Sequence, residues 1–269
     1  MPNVIFNKEK TKQKASITEG AITFVPHTGI YVGDGASAIP IIENSSEEKG
    51  YYSSIQKLED YLYEVTYEDL NYDKAYIFYA SDKSPYPEGA CSGFCANGWL
   101  GRNFDWLYSE RAEFLVHTTG SNGRYATTGI SSGFSGLPNS LVESGEYNEL
   151  YQMVPFHIVD GINEYGLVVE SNVVPVDNGY NRAIPTETSE IECSALMLPR
   201  FILDHFKTVN EAVDYLKKHV TIYYPNSLHD MEYELHFLMA DRDKTCILEI
   251  QDNQLIELPH NAMTNFLIN

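Results

Sequence analysis

The pattern of apolar and polar positions divides the chain into segments with different predicted structure. Residues 1 to about 50 are rich in glycine and turn-forming residues, with short β-favouring runs at 21–25 and 29–32. From 54 to 65, apolar residues recur at the spacing of one helix face, which predicts an amphipathic helix. These residues are Ile55, Leu58, Leu62 and Val65.

A different pattern follows between the predicted helix and the first cysteine. Residues 75–80 form an apolar run typical of a buried strand, and Pro85, Pro87 and Gly89 indicate an exposed linker over 81–89. We therefore divide the chain into three parts. A β-rich extension covers 1–50, a helical pro-segment with its linker covers 51–90, and the main domain covers 91–269.

The main domain opens with the sequence C-S-G-F-C-A-N-G-W-L-G-R-N-F-D-W, residues 91–106. Asn97-Gly98 between two short β-favouring runs predicts a hairpin with a two-residue type I′ turn. If Ala96 pairs with Trp99 across this turn, counting outward places Gly93 opposite Arg102.

This register brings candidate chemistry to one face of the hairpin. Side chains alternate between faces, so Cys91 and Arg102 project on the same side, and Gly93 leaves room for the guanidinium. A thiol beside a fixed cation is more readily ionised, as a cysteine nucleophile requires. Asp105 would face the same site only if the second strand ends or bulges near Asn103.

Strands and helices alternate through the rest of the main domain. A strand is predicted at 113–118, long loops over the site at 119–150, a turn at 163–166 followed by a strand ending near Asn172, and a helix at 192–206. Thr208 and Glu211 form a capping box at the start of a further helix. The apolar stripe of this helix consists of Val209, Ala212, Val213 and Leu216. Four strands are predicted after it, at 235–240, 246–250, 254–258 and 263–268. These elements predict an α+β fold of stacked sheet and helix layers.

Composition narrows the classes of partner and compartment. The chain has 38 acidic and 18 basic residues, a formal net charge of -20, which disfavours nucleic acid and anionic membrane surfaces as partners. No apolar run approaches the roughly 20 residues of a membrane-spanning helix, and no signal-peptide core is present. Four scattered cysteines without C-x-x-C spacing favour a reducing, cytoplasmic compartment and support neither a zinc site nor a cofactor.

Five motifs in order resemble one enzyme family. They are C-S with the hairpin into G-R-N-F-D-W, then D-G-I-N-E-Y-G-L, then R-F-I-L-D-H-F-K-T-V-N-E-A-V-D-Y-L, then H-F-L-M-A-D, then M-T-N. Together they resemble the choloylglycine hydrolase and penicillin V acylase group of N-terminal-nucleophile amide hydrolases. This resemblance implies a four-layer αββα fold. The family's sequences continue beyond M-T-N with a further catalytic-site arginine, so we expect this chain to lack C-terminal strands and to turn over slowly or not at all by itself.

The resemblance also assigns roles to five residues. Cys91 would be the nucleophile and, once the Ala90–Cys91 bond is cut, its freed α-amine would be the base. Arg102 would lie beside the nucleophile, and Asp105 would orient the amine. Asn172 and Asn265 would be the two asparagines associated with the oxyanion site and with the nucleophile. The reaction would need no metal or cofactor.

The implied substrate is a small linear carboxamide, such as an N-acyl amino acid or a conjugated bile acid, handled by a monomer or a homo-oligomer. The alternative left open is a non-catalytic chain that keeps the hydrolase core as a structural or binding module. A stretch of some twenty residues near its start, I-T-E-G-A-I-T-F-V-P-H-T-G-I-Y-V-G-D-G, faintly resembles β-hairpin modules of phage tail and fibre proteins. Association with a phage particle therefore belongs to this alternative.

A serine nucleophile is the other reading of the sequence. Residues 129–133, G-I-S-S-G, match the G-x-S-x-G elbow of serine hydrolases. That elbow needs an apolar strand before it and a helix after it, and the flanking residues favour neither, so we interpret it as a chance match. His117, His157 and His236 have no partners at catalytic spacing and are interpreted as structural.

Overall fold

The computed structural model describes residues 2–7, 22–26, 52, 54–68, 91–96, 98–103, 111–120, 123–131, 137–145, 149–176, 182–187, 191–224 and 233–268. Their strands, in chain order, are β1 Pro2–Asn7, β2 Ile22–Pro26, β3 Ser54–Glu59, β4 Leu62–Tyr67, β5 Ser92–Ala96, β6 Trp99–Asn103, β7 Glu113–Thr118, β8 Thr127–Ser131, β9 Ile158–Asn163, β10 Val168–Pro175, β11 Ile191–Ser194, β12 Val220–Tyr223, β13 Tyr233–Ala240, β14 Thr245–Gln251, β15 Gln254–Leu258 and β16 Ala262–Met263. Their α-helices are α1 Asn139–Ser144, α2 Leu198–His205 and α3 Val209–His219.

The smaller sheet contains the predicted hairpin. Within the described residues it has five antiparallel strands in the order β16-β5-β6-β1-β2. Ala96 pairs with Trp99 and Gly93 with Arg102, so the predicted register is confirmed. Gly98 has φ +80, the left-handed conformation that the second position of a type I′ turn requires.

The larger sheet forms the middle layer of the molecule. As far as the structure describes the chain, nine strands run in the order β15-β14-β13-β10-β9-β8-β7-β4-β3, all antiparallel except the parallel pair β4 and β7. Every residue of β9 is buried, as are the first seven of β10. A strand buried on both faces must be covered by another layer on each side.

Helix α2 supplies one of those layers. It packs on β9 and β10. Leu203 of α2 lies close to Gly161 of β9, because a Cβ added at Gly161 would be only 2.9 Å from Leu203 Cδ1. Asp160, the neighbour of Gly161 in β9, points instead towards the smaller sheet. The described residues thus form helix, larger sheet and smaller sheet layers of an α+β fold. The outer face of β5 is exposed at Ser92, Phe94 and Ala96, and the fourth layer of the predicted αββα arrangement is not among these residues.

The helix predicted at 54–65 is wrong. These residues form β3 and β4, an antiparallel pair with a turn at Asp60 and Tyr61. Ile55 and Val65, which a helix would place on one face, are directly opposite each other across the hairpin. These two residues therefore share a face in either structure, and parallel pairing of β4 with β7 selects the strand.

Other boundaries also differ from the predictions. The predicted loops at 119–150 contain β8 and α1, and β10 continues beyond Asn172 to Pro175. The helix predicted at 192–206 begins as β11 and a 3-10 turn before α2, and the last predicted strand, 263–268, is reduced to β16. The strand at 113–118 is confirmed as β7. The β-favouring run 29–32, the strand 75–80 and the linker 81–89 lie outside the described residues.

None of the helices in the described part of the chain has the length and apolar character needed to cross a membrane. The longest of them, α3, has a polar outer face and buries the four residues of the predicted stripe. Thr208 Oγ1 accepts a hydrogen bond from Glu211 N at 3.2 Å, and Glu211 Oε2 accepts one from Lys207 N at 3.0 Å. The predicted N-terminal cap is confirmed, with the reciprocal bond reaching one residue further back.

We expect Thr208→Ala to lower the free energy of unfolding by about 1 kcal/mol, because an amide of the first turn of α3 loses its acceptor. Urea unfolding monitored by circular dichroism would measure this loss. Thr208→Ser keeps the hydroxyl and is the control. Equal stability of the alanine and serine variants would contradict the capping role.

Candidate active site

The inner face of the hairpin carries the predicted nucleophile and arginine. Along β5 the burial alternates, with Cys91, Gly93 and Cys95 buried and the residues between them exposed. Arg102 is buried on the opposing strand, with 3% of its surface exposed, at the position paired with Gly93. The hairpin therefore places Cys91 and Arg102 on the same face, towards the larger sheet.

The guanidinium of Arg102 is held by the larger sheet. Its Nη1 atom donates to the carbonyl oxygen of Ser171 at 2.7 Å and lies 3.3 Å from Glu170 Oε1. Its Nε atom lies 3.5 Å from Asp160 Oδ2. Glu170 and Asp160 are directly opposite each other on β10 and β9. One arginine thus connects the two sheets through two neighbouring carboxylates.

Gly93 has a different neighbour from the one predicted. A Cβ built there would lie 2.0 Å from Glu170 Oε1, so the carboxylate of Glu170, rather than the guanidinium, fills the space that glycine leaves. The carboxyl reaches this place because it lies against the buried guanidinium, with its Oε1 atom 3.3 Å from Arg102 Nη1. Glycine at this position lets the acidic side chain approach the hairpin backbone.

Burial dominates the electrostatics of the two carboxylates. It raises the pKa of Glu170 to about 8, an effect that Arg102 opposes and Asp160 reinforces. It raises the pKa of Asp160 to about 6, again opposed by Arg102. At neutral pH, Glu170 therefore carries a proton while Asp160 balances the charge of Arg102. The cluster is close to neutral in that state.

Asn265 connects Cys91 to strand β10. Its Oδ1 atom accepts a hydrogen bond from the backbone nitrogen of Cys91 at 2.5 Å, and its Nδ2 atom donates to the carbonyl oxygen of Val173 at 2.7 Å. Only this orientation of the amide satisfies both contacts, since the nitrogen is a donor and the carbonyl an acceptor. The nitrogen of Cys91 is thus fixed beside the strand that carries Asn172.

Asn172 is buried, with 1% of its surface exposed. Among the described residues, neither its amide nitrogen nor its amide oxygen has a hydrogen-bond partner. It lies two residues after Glu170 and therefore on the same face of β10, towards the smaller sheet. Buried amides are nearly always paired, so an unpaired one next to the residue that Asn265 contacts has donor capacity available for a ligand.

The structure thus brings Cys91, Arg102, Asn172 and Asn265 to the space between the sheets. Asp105 lies outside the described residues, and among the described residues the carboxylates at Arg102 are those of Asp160 and Glu170. The sequence analysis missed both of them. Glu170 had a usable signal, because it is a charged residue in the apolar strand V-V-E-S-N, on the same predicted face as Asn172.

Asn163, in the motif D-G-I-N-E-Y-G-L, has a structural role. Its Nδ2 atom donates to the carbonyl oxygens of Leu203 and Phe206 at 2.9 and 2.7 Å. Its Oδ1 atom accepts from Tyr165 N and Leu167 N at 3.0 and 3.1 Å. All the bonding capacity of this amide is used to hold the β9–β10 turn on the end of α2.

The other candidate nucleophiles of the sequence are a serine and two cysteines. Gly129 and Ser131 lie within strand β8, and the rest of the G-x-S-x-G match lies outside the described residues. Cys193 and Cys246 are buried, and burial raises the pKa of each thiol to about 12, so neither is a ready nucleophile.

A family model described as acyl-coenzyme A:6-aminopenicillanic acid acyl-transferase matches residues 94–269. The matched range includes Arg102, Asn172 and Asn265 and begins three residues after Cys91. No curated protein matches the chain.

Solved structures similar to this chain include a variant of conjugated bile acid hydrolase from Clostridium perfringens, at 16% identity and a TM-score of 0.39, covering 72% of this chain and 48% of that one. They also include penicillin V acylase from Agrobacterium tumefaciens, at 15% identity and a TM-score of 0.36, covering 69% and 47%. The chain thus spans about half the length of these structures.

The proton on Glu170 makes stability depend on pH. In the unfolded chain this carboxyl ionises near its ordinary pKa of 4.5, whereas the folded value is about 8. The folded state therefore binds more protons between these values, and the free energy of unfolding falls as pH rises from about 4.5 to about 8, by at most about 1.4 kcal/mol per pH unit for one proton. Urea unfolding across this range would measure the slope.

Glu170→Gln removes this titration, so we expect a flatter pH dependence in that variant. Glu143→Gln, at a side chain that is 50% exposed, is the control and should keep the wild-type slope. A slope in the Glu170 variant equal to that of the wild type would show that the carboxyl does not hold the proton.

Proposed function

Because the chain belongs to the acyl-coenzyme A:6-aminopenicillanic acid acyl-transferase family, we propose that it cleaves linear carboxamide bonds with Cys91 as an N-terminal nucleophile. Cleavage of the Ala90–Cys91 bond by the chain itself would convert the backbone nitrogen of Cys91 into an α-amine. The substrate would be a small linear amide, such as an N-acyl amino acid or a conjugated bile acid. The reaction uses only groups of the protein, with no metal or cofactor.

The observation that carries this proposal is the hydrogen bond between the nitrogen of Cys91 and Asn265 Oδ1. In the cut chain the same oxygen accepts one N–H of the α-amine and so fixes the direction of the nitrogen lone pair. An α-amine has a pKa near ~8 and a thiol near ~8.5, so a proton passes between them at little cost around neutral pH. An amide nitrogen accepts no proton, so the base exists only after cleavage.

The reaction then proceeds in two steps, acylation of Cys91 and hydrolysis of the resulting thioester. The Cys91 sulfur attacks the substrate carbonyl carbon, and the thiol proton moves to the α-amine and then to the departing amine as the C–N bond breaks. Water next attacks the resulting thioester and gives its proton to the α-amine, which returns it to the sulfur as the acid leaves. The free amine and the carboxylic acid are the products.

Asn172 is the proposed donor to the oxyanion. Its Nδ2 atom is buried, unpaired and on a strand neighbouring the site, so it can bind the oxygen that becomes negative when sulfur attacks. A fixed donor of this kind acts mainly in the transition state, and losing one costs about 3 to 4 kcal/mol of activation free energy.

Arg102 has a supporting role in this proposal. It shares the inner face of the hairpin with Cys91, at the position paired with Gly93. Asp160 and Glu170 hold it in place from the larger sheet. The guanidinium is thus fixed on the face of the hairpin that carries the proposed nucleophile.

One observation favours a second candidate, a non-catalytic binding module. Cys91 is only 4% exposed, and the guanidinium of Arg102 is engaged by groups of the protein itself. An intact, uncut chain would agree with that role, whereas cleavage before Cys91 would contradict it. The same measurement therefore separates the two candidates.

Self-cleavage predicts two fragments. Intact-mass analysis of the purified protein under denaturing conditions should give a piece ending at Ala90 and a piece beginning at Cys91. Cys91→Ala should give a single uncut chain because the attacking sulfur is missing. Cys95→Ala, which removes the buried thiol of β5, should be cut like the wild type. An uncut wild-type chain would reject the proposal.

Removing the oxyanion donor should slow turnover. We expect Asn172→Ala to lower kcat for hydrolysis of N-acyl amino acids by about 100- to 1,000-fold, with a much smaller change in KM. Ser171→Ala is the matched control, since its hydroxyl bonds to the carbonyl of Val159 on the opposite face of the strand. Equal kcat for the two variants would exclude Asn172 from the oxyanion site.

A further inference from the structure

A buried histidine lies next to the proposed oxyanion donor. His236 of β13 is directly opposite Asn172 of β10, so both side chains occupy the face towards the smaller sheet. His236 is completely buried, and its Nε2 atom donates to the carbonyl oxygen of Thr264 at 2.7 Å. Its Nδ1 atom lies 3.3 Å from Glu249 Oε1 on the next strand, β14.

Glu249 binds the same C-terminal segment at a second point. Its Oε1 atom accepts a hydrogen bond from the backbone nitrogen of Ile268 at 2.8 Å, and its Oε2 atom accepts one from Gln251 at 2.8 Å. His236 therefore holds the segment at residue 264 and Glu249 holds it at residue 268. Asn265, which binds the nitrogen of Cys91, lies between these two points.

We propose that His236 and Glu249 are positioning residues that fix the segment 264–268 and thereby aim Asn265 at the nitrogen of Cys91. This inference rests on the proposed function, since it concerns the geometry of the same nucleophile. Neither residue touches Cys91. Each acts through the segment that carries Asn265.

Weak packing explains why the segment needs such anchors. Strand β16 ends at Met263, so sheet pairing with β5 does not reach residue 264. Phe266 is 72% exposed and Thr264 is exposed as well, whereas Ile268 at the far end is half-buried and packs against the core. Between Met263 and Ile268 the segment is therefore held largely by the hydrogen bonds of His236, Glu249 and Asn265.

The partners of His236 also fix where its hydrogens lie. A backbone carbonyl is only an acceptor, so Nε2 carries the hydrogen that it donates to Thr264, and Nδ1 faces Glu249 Oε1. Burial alone would raise the pKa of Glu249, but hydrogen bonds from His236 and Ile268 N hold it below its usual value. The carboxylate form, which accepts both bonds, is thus the stable one.

The test compares variants that break the anchors with one that keeps their shape. His236→Ala and Glu249→Ala each lose one anchor, and we expect kcat of the cut enzyme to fall about 100-fold with little change in KM, because a misplacement of about 1 Å at the reacting groups costs that much. Glu249→Gln keeps an acceptor for Ile268 N and is expected to lose less than about 10-fold. Tyr224→Phe removes a buried hydrogen bond to the carbonyl oxygen of Leu235 and leaves the two anchors in place, so it controls for lost stability.

A double-mutant cycle separates positioning from general destabilisation. If His236 acts through Asn265, then adding His236→Ala to Asn265→Ala should change kcat by less than about 2-fold. Multiplication of the two single effects would overturn the inference, as would full activity of His236→Ala or Glu249→Ala. Loss of activity in Tyr224→Phe equal to that of the two alanine variants would overturn it too.

Measurements on the wild type separate the proposed function from the anchoring role. A wild type that stays uncut would reject the proposed function and, with it, a catalytic role for this pair. Hydrogen exchange in the uncut Cys91→Ala chain tests the anchors separately. Faster exchange at the amide of Ile268 after His236→Ala or Glu249→Ala supports them, and unchanged exchange overturns the inference even if the wild type is active.

Discussion

The two sheets meet over a buried guanidinium, and this contact determines how closely they pack. Arg102 leaves the hairpin and enters the larger sheet between Asp160 and Glu170, where the side chains of all three are at most 1% exposed. Moving an ion out of water costs several kcal/mol, which is recovered only if its partners are well placed. The layer between the sheets is therefore polar at its centre, and the candidate catalytic groups surround that centre.

The parts of this arrangement that depend on local rules were predictable. Asn97-Gly98 determines the turn of the hairpin, so the pairing of Gly93 with Arg102 and the shared face of Cys91 and Arg102 followed by counting. The cap of α3 followed in the same way from Thr208 and Glu211. In both cases the interacting residues lie within about ten positions of each other.

Contacts between distant elements were not predictable in this way. The partners of Arg102 are 58 and 68 residues further along the chain, on strands whose position relative to the hairpin depends on the whole fold. The helix predicted at 54–65 failed for a related reason. Its apolar spacing fits one helix face and also a hairpin that pairs Ile55 with Val65, and only the distant strand β7 decides between them. The family, by contrast, was recognised correctly because five motifs occur in order, and order needs no geometry.

The close approach of Glu170 to the backbone of Gly93 links two positions that are 77 residues apart. Any side chain at position 93 would overlap the Glu170 carboxyl and push it away from the guanidinium of Arg102. The glycine, the glutamate and the arginine are thus coupled through one shared space between the two sheets, so a change at any of them alters the surroundings of the other two.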